Sequence, residues 1–159
     1  MCCHHKISSI SWGDGAQIVI ALLTIVIIFI AYKQLKSLNS QLKLNFFTDY
    51  TKRYQEIILH FPENINRADF SFALLEKKEQ DSTMRYMRVY FDLCSEEYYL
   101  KKERQIDIEI WNNWESGMKH AFSKKAFKDA WSIVKNDTIY YDEFAKWVDN
   151  IMKIQTKNE

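Results

Sequence analysis

Lys119, His120, Ser123, Lys124, Lys125 and Lys128 fall within ten residues. Four ammonium groups and an imidazole around a turn, with a serine and the amides that open the next helix, suit an anion such as a phosphate. The same residues also describe a solvated charged face, or a face lying against anionic headgroups. Trp114 or Trp131 adds a stacking surface to such a site if exposed. Other groupings carry less chemistry. Met1-Cys2-Cys3-His4-His5 sets four soft or imidazole ligands in a row, which suits zinc or copper by residue type. Adjacent residues seldom close a tetrahedron, so the run reads as a leader with incidental ligands and no metal site is assigned.

Glu96 and Glu97 are neighbouring carboxylates, but adjacent helix positions do not face each other, which argues against a shared general acid–base site. One of the two is expected to pair with a basic residue on a neighbouring helix. His60 and His120 lack carboxylate or cysteine neighbours at ligand spacing and read as structural. Cys94 sits alone in an apolar periodic segment, as a reduced and buried thiol does. HExxH, CxxC and GxSxG are all missing, and Gly117 alone among the residues after 15 cannot make a phosphate loop. The expectation is a protein that is not an enzyme and uses no cofactor.

Helices must position these groups. Three glycines and one proline in 159 residues leave little material for sheets and their turns. That length allows one anchor and one compact domain. A net charge of +1 argues against stable binding of a nucleic-acid duplex.

Residues 16–32 read AQIVIALLTIVIIFIAY without a charge. Seventeen residues at a rise of 1.5 Å span roughly 25 Å, the short end of what crosses a bilayer. Trp12 and Tyr32 flank the run as interfacial residues, and Asp14 with Gln17 forms a capping box. A cleavage site fits poorly after Ala31-Tyr32-Lys33, and a core helix so aliphatic all round needs a larger domain to cover it. Lys33, Lys36 and Lys43 follow the run while Lys6 precedes it, which places the C-terminal part in the cytoplasm and the N-terminus outside.

Beyond the anchor, Leu35, Leu38, Leu42 and Phe46 are spaced 3, 4 and 4, like a short coiled-coil seam. This stripe can pack on a copy of itself or fold back onto the domain. Tyr50, Tyr54, Ile57, Ile58 and Phe61 continue it until Pro62 ends the element. Phe70, Phe72 and Leu75 are expected to plug the core, and residues 76–82 to connect. Asp81 or Ser82 then caps a helix carrying Met84, Met87, Phe91, Cys94 and Tyr98. Asp107 caps a helix with Ile110, Trp111, Trp114, Met118 and Ala121. Ser123 caps one with Phe127, Ala130, Trp131 and Val134. After Asn136-Asp137, the last helix carries Tyr140, Phe144, Trp147, Val148 and Ile151.

Several stretches together resemble small bacterial single-pass membrane proteins with a helical cytosolic domain. They are Tyr32-Lys33-Gln34-Leu35, the run from Asn45 to Tyr54, Tyr90-Phe91-Asp92-Leu93-Cys94-Ser95-Glu96-Glu97-Tyr98, Ile110-Trp111-Asn112-Asn113-Trp114-Glu115 and Phe127-Lys128-Asp129-Ala130-Trp131. These are packing residues, so the resemblance implies fold and anchoring and transfers no active site. By layout alone the chain also resembles CRISPR-linked membrane effectors of antiviral defence, which sense cyclic oligoadenylate.

The expected organisation is all-α. A short external N-terminus (1–15) precedes a transmembrane helix (16–32), a helical stalk (33–61) and a compact helical cytosolic domain (62–159) at the inner, cytoplasmic membrane. The expected role is a membrane-anchored module for binding and self-assembly as a homo-oligomer, with the lipid bilayer as a further partner. The alternative is a membrane effector gated by a cyclic oligonucleotide on the Lys119–Lys128 cluster.

Overall fold

The computed structural model describes residues 12–156. The Met1–His5 ligand run, Lys6, and the side chains of Trp12 and Asp14 lie outside what is described. Five α-helices, one 3-10 turn and no strand occur among the described residues. They are α1 (Trp12–Ile58), the turn Phe72–Leu74, α2 (Lys77–Lys102), α3 (Ile108–Ser123), α4 (Lys125–Asp137) and α5 (Asp142–Thr156). The chain divides into two compact units, Met1–Leu44 and Asn45–Glu159.

The described residues of the first unit form one helix. Its aliphatic run is long and apolar enough to cross a membrane, and no residue of its most apolar 18-residue stretch is buried by protein. The Thr24 hydroxyl in that run donates to the Ile20 carbonyl at 2.8 Å, so it asks nothing of its surroundings. Lys33 Nζ sits 5.0 Å from the centre of the Phe29 ring one turn back. The backbone is already helical at Trp12, two residues before the expected Asp14 cap.

In the second unit, the last turns of α1 belong to the core rather than to a free stalk. Tyr50 and Ile57 are buried there, and the unit begins at Asn45, well before residue 62. The helix ends at Ile58 because the Pro62 ring would clash with the carbonyl four residues earlier. The amides of His60 and Phe61 bond instead to Ile57 and Ile58, a tightening exit turn. Ile65 and Phe70 then plug the core, with Phe72 and Leu75 packed against it.

The second unit is built around α2. Met87, Tyr90, Phe91, Leu93 and Cys94 are buried on one side of it, with Met84 and Tyr98 half-buried at either end. Against them lie Trp111, Met118 and Phe122 of α3, Phe127, Trp131 and Val134 of α4, and Phe144 and Val148 of α5. Phe91 stacks on Phe122 at 5.6 Å and meets Trp131 at 4.9 Å between ring centres. The Trp131 indole N–H donates to Asp149 at 2.8 Å, which satisfies the one polar atom of a side chain only 2% exposed.

Helix starts separate correct expectations from incorrect ones. The Asp107 carboxylate accepts from the Glu109 amide at 3.1 Å and caps α3. By contrast α2 begins at Lys77, so residues 77–82 are helix and neither Asp81 nor Ser82 caps it. Glu, Lys and Gln are good helix formers, and a polar stretch without glycine or proline extends a helix past its apolar stripe. Asp81 accepts from Lys77 Nζ at 2.8 Å instead. Ser123 is the last residue of α3, not the cap of α4, and its hydroxyl donates back to the His120 carbonyl at 2.6 Å. Tyr140 precedes α5 and donates to Asp92 at 2.9 Å.

Candidate functional site

Three helices of the second unit enclose a cavity of about 580 Å³. The end of α1 contributes Phe47, Tyr50, Thr51 and Tyr54, and α2 contributes Tyr90, Leu93, Cys94 and Glu97. Both sets follow the i, i+3, i+4, i+7 spacing that places residues on one helical face. The third wall is α3, with Asn113, Trp114, Gly117, Met118 and His120 among its lining residues. Gly117 sits in the helix interior, and a methyl group added there would meet nothing within 4 Å. The α3 wall is therefore open at that point for want of a side chain.

Five aromatic rings, those of Phe47, Tyr50, Tyr54, Tyr90 and Trp114, line it. Tyr50 lies 5.2 Å from Trp114, and Tyr54 lies 6.4 Å from Tyr90, between ring centres. Outside Tyr50, the Arg53 guanidinium stands 5.1 Å from the ring centre and binds Glu96 through two hydrogen bonds of 2.7 and 3.1 Å. The Tyr50 hydroxyl reaches the same carboxylate at 3.4 Å. Glu96 is thus the carboxylate that finds a basic partner on a neighbouring helix.

Glu97 differs from its neighbour. It is 6% exposed, it lines the cavity, and no hydrogen bond or ion pair among the described residues engages its carboxyl group. Burial, with a smaller contribution from the Glu96 charge and against the opposing charge of Arg53, pushes its pKa up to about 8. At neutral pH the group is chiefly a neutral acid. Cys94, on the same face, has its thiol pushed well above the ordinary range by burial and by the nearby Glu97. That is the reverse of an activated nucleophile.

The basic cluster is laid out differently from a single anion cradle. Lys119 pairs with Glu115 at 2.9 Å and Lys125 with Asp129 at 2.6 Å, each along its own helix. Lys124 is the N-cap residue of α4 and makes no side-chain cap bond. Lys128 is half-buried, and the Ser123 hydroxyl is taken by His120. His120 is the one member that also lines the cavity. Trp114 lines the cavity and Trp131 is buried in the core, so neither is a free platform beside the lysines. His60 stacks on Tyr86 at 4.0 Å between ring centres, a packing role. Leu35, Leu38, Leu42 and Phe46 are 65%, 52%, 48% and 51% exposed. Among the described residues no three His, Cys, Asp or Glu side chains gather as a metal site.

Sequence reasoning missed Glu97 and Gly117 as site residues. The signal for Glu97 was its register: it lies seven residues after Tyr90 and three after Cys94, on the buried stripe itself. Compared with known proteins, the chain matches no family model, and no curated protein or solved structure is similar to it.

Proposed function

We propose that this protein is a membrane-tethered, non-enzymatic binding module whose ligand occupies the cavity between α1, α2 and α3. The observation that carries the reading is the cavity itself: a concave site of about 580 Å³ whose wall combines aromatic and aliphatic side chains with a set of polar groups. Ligand sites have this composition and size. In this reading residues 16–32 cross the inner membrane and the helical unit faces the cytoplasm, supported by the uncovered aliphatic run and the lysines that follow it. Leu35, Leu38, Leu42 and Phe46 serve self-assembly into a homo-oligomer, supported by their exposure along one helix.

The test is a thermal-shift screen of the full chain in dodecyl maltoside against aromatic, aliphatic and charged small molecules, cyclic oligonucleotides included. A ligand at a hundred times its dissociation constant adds about 2.7 kcal/mol, a shift of several degrees. Gly117→Phe, which fills an open part of the α3 wall, should abolish the shift and leave the fold intact. A shift that survives Gly117→Phe but is lost when Lys124, Lys125 and Lys128 become Glu would move the site to the basic cluster and favour a nucleotide-gated effector. A flat screen on the folded protein would remove the cavity as a ligand site. Changing Leu38 and Leu42 to Asp should lower the particle mass in detergent, and an unaltered mass would remove the stripe as an assembly element.

A further inference from the structure

Among the described residues, the cavity wall contains five aromatic side chains, the polar Thr51, Asn113, Ser116 and His120, and a single carboxyl group, with no lysine or arginine. Arg53, the nearest guanidinium, is held by both oxygens of Glu96. The one acidic group, Glu97, is more than nine-tenths buried, lines the cavity and has no hydrogen-bond or ion-pair partner among the described residues. A buried carboxyl without a partner is unfavourable in any packed interior, and a glutamine or leucine would fill the same position at lower cost. Its chemistry is completed by something that enters the cavity.

Three ligand classes can be compared. An anion meets ring faces, which carry negative potential, and an acid that would have to stay protonated. A neutral ligand can bond to Thr51, Asn113 or Ser116 but accepts at most one hydrogen bond from that acid and makes no use of its charge. A cation gains from both features, because ring faces attract positive charge and a carboxylate neutralises it in a water-poor space. We propose that the cavity binds an organic ammonium cation, with Glu97 as its counter-ion and the rings of Tyr50, Tyr54 and Trp114 as its cage. The proposal rests on the reading of the cavity as a ligand site and adds the chemical class of the ligand.

Binding then exchanges one positive charge for another. The ammonium group enters and the Glu97 proton leaves to solvent, so the charge enclosed by the cavity is unchanged. The charged and titratable groups around Glu97 are Tyr50, Arg53 and Tyr54 from α1 and Tyr90, Cys94 and Glu96 from α2, with His120 on the α3 wall of the same cavity. Burial raises the pKa of each of the three tyrosines and of the cysteine, away from neutrality. With the Glu97 pKa at about 8, apparent affinity for a permanent cation should weaken about tenfold per pH unit below that value. His120 also lines the cavity, so its variant belongs in the experiment.

The experiment uses the full chain in dodecyl maltoside, whose headgroup carries no charge. Choline and 3,3-dimethylbutan-1-ol have one shape and differ by a positive charge, and each is titrated by ligand-observed NMR. Choline should bind at least about tenfold tighter than the alcohol at pH 9 and lose roughly a hundredfold in apparent affinity by pH 6. Glu97→Gln should remove both the preference and the pH dependence, whereas His120→Gln should keep the pH dependence whatever it does to affinity. Doping the micelles with phosphatidylcholine or phosphatidylglycerol assigns the source: displacement of choline by the former alone marks a lipid headgroup, and no displacement marks a free ammonium ligand. Equal binding of the alcohol, or full choline binding by Glu97→Gln, overturns the cation assignment while the cavity stands as a ligand site. Failure of choline alongside a neutral hit in the wider screen overturns it too, and failure of every compound overturns the underlying reading instead.

Discussion

Replacing Glu97 by Gln should stabilise this protein at neutral pH, and the size of the effect follows from the burial of the carboxyl group. In the unfolded chain the group ionises near its ordinary value of 4.5, whereas in the fold its pKa is about 8. Between those values the folded state holds a proton that the unfolded chain releases, so stability falls as pH rises through the window. The group's contribution is complete below about pH 4.5 and fully lost above about pH 8, a total of roughly 5 kcal/mol at 1.36 kcal/mol per pH unit. Glutamine resembles the neutral acid in size and polarity at every pH. The variant should therefore match the wild type at pH 4, exceed it by roughly 3 kcal/mol at pH 7 and by roughly 5 kcal/mol above pH 8.5. For a helical unit of this size the gain at pH 7 corresponds to roughly 10 °C in melting temperature. The assay is thermal and urea unfolding of the full chain in maltoside at four pH values, followed by tryptophan fluorescence from the core. A difference that does not vary with pH, or a Gln variant less stable than wild type at pH 7, would refute the assignment of Glu97 as a buried acid without a partner.

Two further changes and one labelling experiment test the local reasoning. Gly117→Ala removes an entropic cost in a helix interior where nothing obstructs the added methyl group, and should raise stability by about 0.5–1 kcal/mol in urea titrations. Arg104 ends α2 with a left-handed backbone (φ 55°), beside a Gln105 amide that bonds to the Leu100 carbonyl at 2.8 Å. Glycine is the residue this Schellman turn favours, so Arg104→Gly should stabilise by roughly 1 kcal/mol in the same titration. Cys94, 1% exposed and with its thiol pKa raised, should resist iodoacetamide in the folded protein and react once urea unfolds it, as read by peptide mapping.

Much of the helical framework is legible in the residue pattern. Met87, Phe91 and Cys94 declare the buried side of α2 by spacing alone, and Asp107 declares the start of α3 because its side chain supplies what the free amides lack. The uncharged run at residues 16–32 is equally plain. Less legible is where a helix begins when its first turns are polar: Lys77 to Ser82 have no apolar period, yet they are helical because nothing in them breaks a helix. The basic cluster stands out in sequence because charges count equally there. In the fold Lys119 and Lys125 bond to carboxylates one turn away, and Ser123 closes α3 rather than opening α4. Glu97 was hidden by its neighbour, since an adjacent pair of glutamates reads as surface until the register puts one at Arg53 and the other in the cavity wall.

Glu97 and Gly117 belong together for a reason beyond proximity. An unpartnered acid on the buried face of α2 and a glycine inside α3 are each unfavourable choices for the helix that carries them. Elsewhere on α2 the buried polar side chains are only the small hydroxyls of Thr83 and Ser95, and α3 has a good cap. The two departures fall on different helices and have different physical origins, one an ionisable group without a partner and the other a missing side chain. Both line the same cavity. Arg104 is a third departure of comparable cost, but it lies in an exposed turn and lines no cavity. Departures from local preference that converge on one cavity are what a binding site demands, because space and unspent polarity must be left for the ligand. If Gly117→Ala and Glu97→Gln both raise stability while the first narrows and the second neutralises the same site, the two costs have one explanation in the ligand.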